Sequence, residues 1–373
     1  MSSTKDLPNS VSSLSQWATW REIHSQPDAW LEWIANFDVV SMREWVESQD
    51  FNEVWFCGAG SSAYIGDILA AGLSGKRIFR SVASTDLVSS PQHFLNGRKP
   101  LVVNFGRSGN SAESIGTLDA LDAFAPTAPR INITCTPDSA LATRTSQGEL
   151  QVVLMPAAAV DTGFAMTCSF SAMLLTGLAI FDEDLQEAAE VSERVSVLAD
   201  QLRRLLPQFA QAFSGQAVSL PERAVFLGVG PMCFAAREAA LKVLELTAGQ
   251  IPSLWDSTLG FRHGPKSFVT DNTVINVFMS PETPAKYYDR DLIAELRSQF
   301  PKARLNSIGP GGDIDVAMPY GALWAVPVVA AFAQIAGVIW ADAQGRNVDD
   351  PFAGLGTLTR VVADVALYPA ATA

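Results

Sequence analysis

The sequence predicts an α/β protein built from two tandem domains of one type, each a parallel sheet with helices on its faces. Three observations lead there. Short apolar runs that read as strands alternate with helical runs. The pattern strand, Gly-x-Gly turn, alanine-rich helix occurs twice, as "VWFCGAGSSAYIGDILAAGL" (54–73) and "AVFLGVGPMCFAAREAALKV" (224–243), so that Gly58 and Gly60 correspond to Gly228 and Gly230. The chain has 373 residues, more than one hydrophobic core usually covers.

Residues 1–47 read as a polar leader followed by helix, with Trp30, Trp33 and Ile34 at helical spacing after Pro27. Strands are expected at 53–57, 101–105, 130–134 and 150–155, with a further one in "KRIFRSVAS". The helical run 182–213 is the expected joint. The domains are therefore drawn as 1–47 (leader), 48–190, 191–215 (helical linker), 216–345 and 346–373 (tail). Residues 318–341 carry no charge and are long enough to span a bilayer. The nearest flanking charges, Asp315 and Asp342, are acidic, and Pro327 and Gln334 interrupt the run, so it reads as a buried core helix rather than a membrane span.

Hydrophobic residues make up 48% of the chain and charged residues 17%, as expected for a large buried core. A net charge of −13 speaks against nucleic acid as a partner, though a few N–H groups and hydroxyls can still hold a small anion. Cys57, Cys135, Cys168 and Cys233 are far apart and the first ten residues have no apolar signal core, which predicts reduced thiols and a cytoplasmic location. Three scattered histidines (His24, His93 and His263) give no metal-ligand spacing, so no metal is expected.

Two turns can bind an anion. Gly58-Ala59-Gly60-Ser61-Ser62-Ala63 follows a strand and opens a helix, but no acidic residue stands about 20 positions on, where a dinucleotide fold needs one. Ser61 and Ser62 suit a single phosphate better than a dinucleotide. "FGRSGNSAES" (105–114) follows another strand. There Ser108, Gly109, Asn110 and Ser111 offer N–H groups and hydroxyls at a helix N-terminus, and Arg107 adds charge. Two such turns at the carboxyl ends of parallel strands are expected to converge on one crevice.

A third feature is "AAREAALKVLELTAG" (235–249). At 100° per residue, Glu238, Lys242 and Glu245 share one stripe within about 60° of each other, and the rest of the helix is apolar. A helix apolar nearly all round is buried, so the charged stripe is expected to face a partner or a cavity. His263 follows in "LGFRHGPKSF" (259–268), between an arginine and a Gly-Pro pair.

Taken in order, "CGAGSSAY", "FGRSGNSAES", "DTGFAMTCSF", "AAREAALKVLELTAG" and "FRHGPKS" resemble the sugar isomerase (SIS) superfamily with two tandem SIS domains. The nearest branch is that of the galactosamine-6-phosphate deaminase/isomerases, also called tagatose-6-phosphate ketose/aldose isomerases. The resemblance runs almost end to end. It implies flavodoxin-like, three-layer α/β/α domains and a phosphosugar isomerase/deaminase without metal or cofactor. Set beside the isomerase domain of glucosamine-6-phosphate synthase, Ser61, Ser62, Ser108 and Ser111 fall on phosphate-binding positions; Gly60, Arg107, Gly109 and Asn110 of the same turns and Thr167 of "DTGFAMTCSF" are further binding candidates on this chain's own residues. The same comparison gives Glu245 the role of moving a proton between C1 and C2, places Lys242 one turn before it, and gives His263 ring opening, reaching in from the neighbouring subunit of a homodimer.

There are departures. The phosphate loop begins Gly106-Arg107-Ser108-Gly109, Met166-Thr167-Cys168 lacks the synthase's lysine, and the last lysine is Lys302, so the synthase's tail lysine has no counterpart. These favour the deaminase/isomerase branch. The implied reaction converts an amino-sugar 6-phosphate, galactosamine 6-phosphate in the first instance, to ketose 6-phosphate and ammonia. Plain aldose–ketose isomerisation and deglycation of a sugar-phosphate amine use the same enolisation. A non-catalytic sugar-phosphate sensor is the rival of another class, but residues 1–47 are too short and too acidic for the basic helix-turn-helix such regulators carry.

Overall fold

Among the described residues, ten strands form two sheets of the same strand order, every neighbouring pair parallel. The structure is a computed structural model and describes residues 11–185, 187–214, 220–356, 358–362 and 365–368. The start of the leader and the end of the tail lie outside the described residues.

The first sheet holds β1 (Glu53–Cys57), β2 (Ile78–Ser81), β3 (Pro100–Gly106), β4 (Arg130–Thr134) and β5 (Leu150–Leu154), in the order β2-β1-β3-β4-β5. The second holds β6 (Arg223–Gly228), β7 (Ser253–Ser257), β8 (Thr273–Phe278), β9 (Arg304–Gly309) and β10 (Ile314–Asp315), in the order β7-β6-β8-β9-β10. Both are the flavodoxin-like 2-1-3-4-5 order, whose switch point lies between the first and third strands. The inner strands β1, β3, β4 and β8 are buried residue by residue, as expected where helices cover both faces of a sheet.

The likeness of the two sheets extends to side chains. Asn104 and Asn132 stand opposite each other on β3 and β4, and Asn104 Nδ2 donates to Asn132 Oδ1 at 2.8 Å. On the equivalent strands β8 and β9, Asn306 Nδ2 donates to Asn276 Oδ1 at 2.8 Å. Further donors go to the backbone, Asn132 Nδ2 to Leu141 O at 2.8 Å and Asn276 Nδ2 to Val225 O at 3.3 Å. The turns after β1 and β6 also match. Gly60 has φ 57° and ψ −133°, Gly230 φ 57° and ψ −128°. A Cβ on Gly58 would stand 2.5 Å from the carbonyl carbon of Ser62, and one on Gly228 2.5 Å from that of Met232, so both turns require glycine.

The described residues pack as two units interleaved in sequence. One takes those of Met1–Pro27, Asp161–Thr167 and Val197–Thr357, and includes the second sheet. The other takes those of Asp28–Val160, Cys168–Ser196 and Leu358–Ala373, and includes the first.

The uncharged run forms the helix Gly321–Ala343, buried along nearly its whole length. It packs against the helix Pro231–Leu246, and Gly337 lets the two approach: a Cβ there would lie 2.6 Å from Leu246 Cδ1 and 3.3 Å from Lys242 O. Its Gln334 accepts from Gln26 Nε2 at 2.9 Å. The apolar helix is thus a wall of the second-sheet unit, behind the helix that carries Lys242.

Candidate active site

The phosphate-binding candidates lie in the unit with the first sheet. β1 and β3 are neighbours, with Cys57 opposite Asn104, so the turns that follow them leave the same edge at the switch point. After β1, Gly60 is the N-cap of the helix Ser61–Gly72, and Ser61 and Ser62 sit almost fully buried in its first turn. After β3, Gly109 adopts φ 62°, and Ser111 caps the helix Ala112–Phe124, its Oγ accepting from Ser114 N at 3.2 Å. Ser108 Oγ accepts from Asn110 N at 3.3 Å, and Asn110 Oδ1 accepts from Ala140 N at 2.8 Å. Arg107 Nη2 donates to the carbonyl of Arg360 at 3.3 Å, and Ala112 N donates to Val362 O at 3.2 Å, so the tail runs across the start of this helix. Helix N-termini of this kind present N–H dipoles to anions.

Cys57 ends β1 beside the first turn. Burial pushes its thiol up to about 12, so it is no nucleophile near neutral pH.

The acid–base candidates lie in the unit with the second sheet. The helix Pro231–Leu246 follows β6 and buries Ala235, Ala236, Ala239, Ala240, Val243 and Leu246. It starts earlier than the sequence pattern suggests because Pro231 fits its first turn, and it ends at Leu246, with Ala248 at φ 48°. The side chains of Glu238 and Lys242 are each 1% exposed and that of Glu245 is 22% exposed. Lys242 Nζ lies 2.5 Å from Glu245 Oε2 and 3.4 Å from Glu238 Oε1. The stripe is therefore a buried ammonium between two carboxylates, of which only Glu245 reaches an open surface. Such an arrangement puts a proton-exchanging carboxylate at the surface with a cation held behind it.

His263 ends the 3-10 turn Gly260–His263. Gly264, at φ 130°, separates that turn from a second, Pro265–Phe268. Phe261 is fully buried and His263 exposed.

Thr167 belongs to the second-sheet unit by its packing. Its N–H and hydroxyl both go to the fully buried Asp161, at 2.9 and 2.7 Å. The same loop is held at its start by Glu22, whose Oε1 accepts from Thr162 Oγ1 at 2.7 Å and from Gly163 N at 3.2 Å. Burial raises the Glu22 carboxyl above its ordinary range, and the Asp161 charge adds to this.

Residues that sequence reasoning gave no role are Glu238, Asp161, Glu22 and Glu295. Glu238 and Asp161 stand inside the recognised motifs, whereas nothing in the spacing links Glu22 or Glu295 to the loops they hold. Among the described residues, no group of three or more His, Cys, Asp or Glu side chains is placed to hold a metal ion.

No family model matches the chain. Similar whole proteins do. D-galactosamine-6-phosphate deaminase AgaS of Escherichia coli is 37% identical over 376 residues, covering 94% of this chain and 96% of that protein. The crystal structure of tagatose-6-phosphate ketose/aldose isomerase from Escherichia coli matches with a TM-score of 0.83 at 33% identity, over 95% of this chain and 98% of that one. The C-terminal domain of glucosamine-fructose-6-phosphate aminotransferase from Francisella tularensis shares the fold, with a TM-score of 0.70 at 20% identity over 88% of this chain and 96% of that domain. A doubled 2-1-3-4-5 sheet, serine turns at a switch point and end-to-end similarity to these enzymes agree: the chain is an enzyme of the phosphosugar isomerase/deaminase type and belongs to the tandem-SIS family of the galactosamine-6-phosphate deaminases and tagatose-6-phosphate ketose/aldose isomerases.

Proposed function

We propose that the enzyme converts galactosamine 6-phosphate to ketose 6-phosphate and ammonia. The observation that carries the reading is the buried Lys242 between Glu238 and Glu245, with Glu245 alone partly open to a substrate. Ser61, Ser62, Ser108 and Ser111 hold the phosphate, with the N–H groups around Gly60, Gly109 and Asn110 and the charge of Arg107 in support, and so orient the sugar. Thr167, tied to Asp161, lines the same substrate. His263 exchanges the proton that opens the sugar ring. Glu245 removes the proton from C2 and returns it to C1. The C2 amine becomes a ketimine, and water releases it as ammonia. Lys242 offsets the charge that develops beside Glu245.

The proposal includes a cytoplasmic homodimer in which His263 serves the partner's site. Mixing Glu245→Gln with the strongly slowed His263→Asn then restores part of the activity, whereas action within one chain leaves the mixture no faster than the two variants measured separately.

The deciding experiment is ammonia release from purified protein given galactosamine 6-phosphate, with glucosamine 6-phosphate in parallel. Release from the galacto sugar, abolished in Glu245→Gln while phosphate-ligand binding persists, supports the reading. No ammonia from either amino sugar, with an aldose 6-phosphate that lacks the amine converted to its ketose, moves it to plain isomerisation, and wild-type turnover in Glu245→Gln refutes the role of that carboxylate.

A further inference from the structure

The His263 loop is secured at both ends. Phe261 joins the buried cluster formed with Leu292, Ile293 and Leu296 of the helix Ala285–Gln299. At the far end, Arg223 Nη1 donates to Phe268 O at 2.9 Å, and its guanidinium lies 5.0 Å from the centre of the Phe268 ring. Between these points the backbone turns twice and passes Gly264 at φ 130°, a conformation with little intrinsic stiffness. No hydrogen bond or ion pair holds the His263 ring itself among the described residues. The imidazole is therefore aimed only by the backbone on either side of it.

One side chain grips that backbone on both sides. Glu295 Oε2 accepts from Arg262 Nε at 2.8 Å, and Glu295 Oε1 accepts from Lys266 Nζ, which also reaches Gln299 Oε1 at 3.2 Å. Arg262 directly precedes His263 and Lys266 stands three residues after it. Glu295 stands on the helix whose Leu292, Ile293 and Leu296 are buried, so it is mounted on a rigid element.

We infer that Glu295 is the positioning residue of His263: by bridging Arg262 and Lys266 it fixes the two short turns, and with them the direction of the imidazole. The inference rests on the ring-opening role proposed for His263. An isolated half-exposed ion pair contributes little to stability. The consequence falls on catalysis, where misplacing a group by an ångström can cost on the order of a hundredfold.

The test uses full-length Glu295→Gln, His263→Asn, the double variant and Glu295→Asp, with two readouts. Hydrogen–deuterium exchange of the Arg262 and Ser267 amides is expected to quicken several-fold in Glu295→Gln at an unchanged melting temperature. For ammonia release from galactosamine 6-phosphate, Glu295→Gln is expected to lower kcat by roughly tenfold at constant KM. Glu295→Asp recovers part of the loss, and the double variant is no slower than His263→Asn alone. Unchanged exchange overturns the clamp whatever the substrate proves to be. Faster exchange with unchanged kcat, or losses that multiply in the double variant, overturns the positioning role. A fully active His263→Asn instead refutes the proposed role of His263, while exchange still reads whether the clamp exists.

Discussion

Lys242 Nζ stands 2.5 Å from Glu245 Oε2, three residues on along the same helix, with Glu238 on its other side. The ammonium and the Glu238 carboxylate are both shut away from solvent, so each depends on the other. Replacing Lys242 by alanine removes the ammonium beside the buried Glu238 carboxylate and is expected to cost about 3–5 kcal/mol of stability, measured by urea unfolding. Replacing Glu238 and Lys242 together by leucine and methionine is expected to restore most of that stability and none of the turnover.

The cysteines are expected to be inert in the folded protein. All four are buried. Burial pushes Cys57 up to about 12, and burial with the nearby Asp256 charge pushes Cys233 up to about 11 against the influence of Arg237. Native enzyme treated with iodoacetamide at neutral pH should keep its mass and activity, whereas denatured protein should take up one label per cysteine.

The twin glycine turns predict twin costs. Gly58→Ala and Gly228→Ala each drive a Cβ to within 2.5 Å of backbone that belongs to a following helix. Each substitution is expected to destabilise by about 1–3 kcal/mol in denaturant titrations.

Glu22 supplies a pH dependence. Its carboxyl is raised above 4.5 in the folded state, first by burial and then by Asp161, against the hydrogen bonds from Thr162 and Gly163. The folded state therefore holds a proton that the unfolded state has released, and stability falls as pH rises through the raised value. In Glu22→Gln this loss is absent. The melting temperature of the variant relative to wild type is expected to climb as pH rises above the ordinary glutamate value of 4.5, and a flat difference would remove Glu22 as the cause.

The alternation of strands and helices and the repeated Gly-x-Gly turn were enough to place two parallel domains, because buried parallel strands such as Val54–Cys57 and Leu101–Phe105 are apolar at nearly every position. In the second sheet only β6 was read: β8 and β9 were passed over, and the half-buried β7 and the two-residue β10 leave no such run. The stripe on the helix Pro231–Leu246 was legible since helical geometry alone puts Glu238, Lys242 and Glu245 on one side. Contacts made across the fold were not. Glu295 meets Arg262 at a separation of 33 residues and Glu22 meets Thr162 at 140, and no local pattern encodes either. Asn110 shows the same limit in reverse: its loop reads as an anion cradle, yet its side-chain oxygen is given to Ala140 N.

The two glycine turns share one backbone shape but not one set of donors. Where the first carries Ser61 and Ser62, the second carries Pro231, which has no N–H, and Met232, which has no hydroxyl. Shape survived in both copies because the helix cannot follow the strand without it. The hydroxyls stand in one copy only. The glycines thus serve the architecture in both turns, while the phosphate role proposed for Ser61 and Ser62 can belong to the first alone, and a search for anion sites in other folds with repeated turns gains more from the pair of residues after the second glycine than from the glycines themselves.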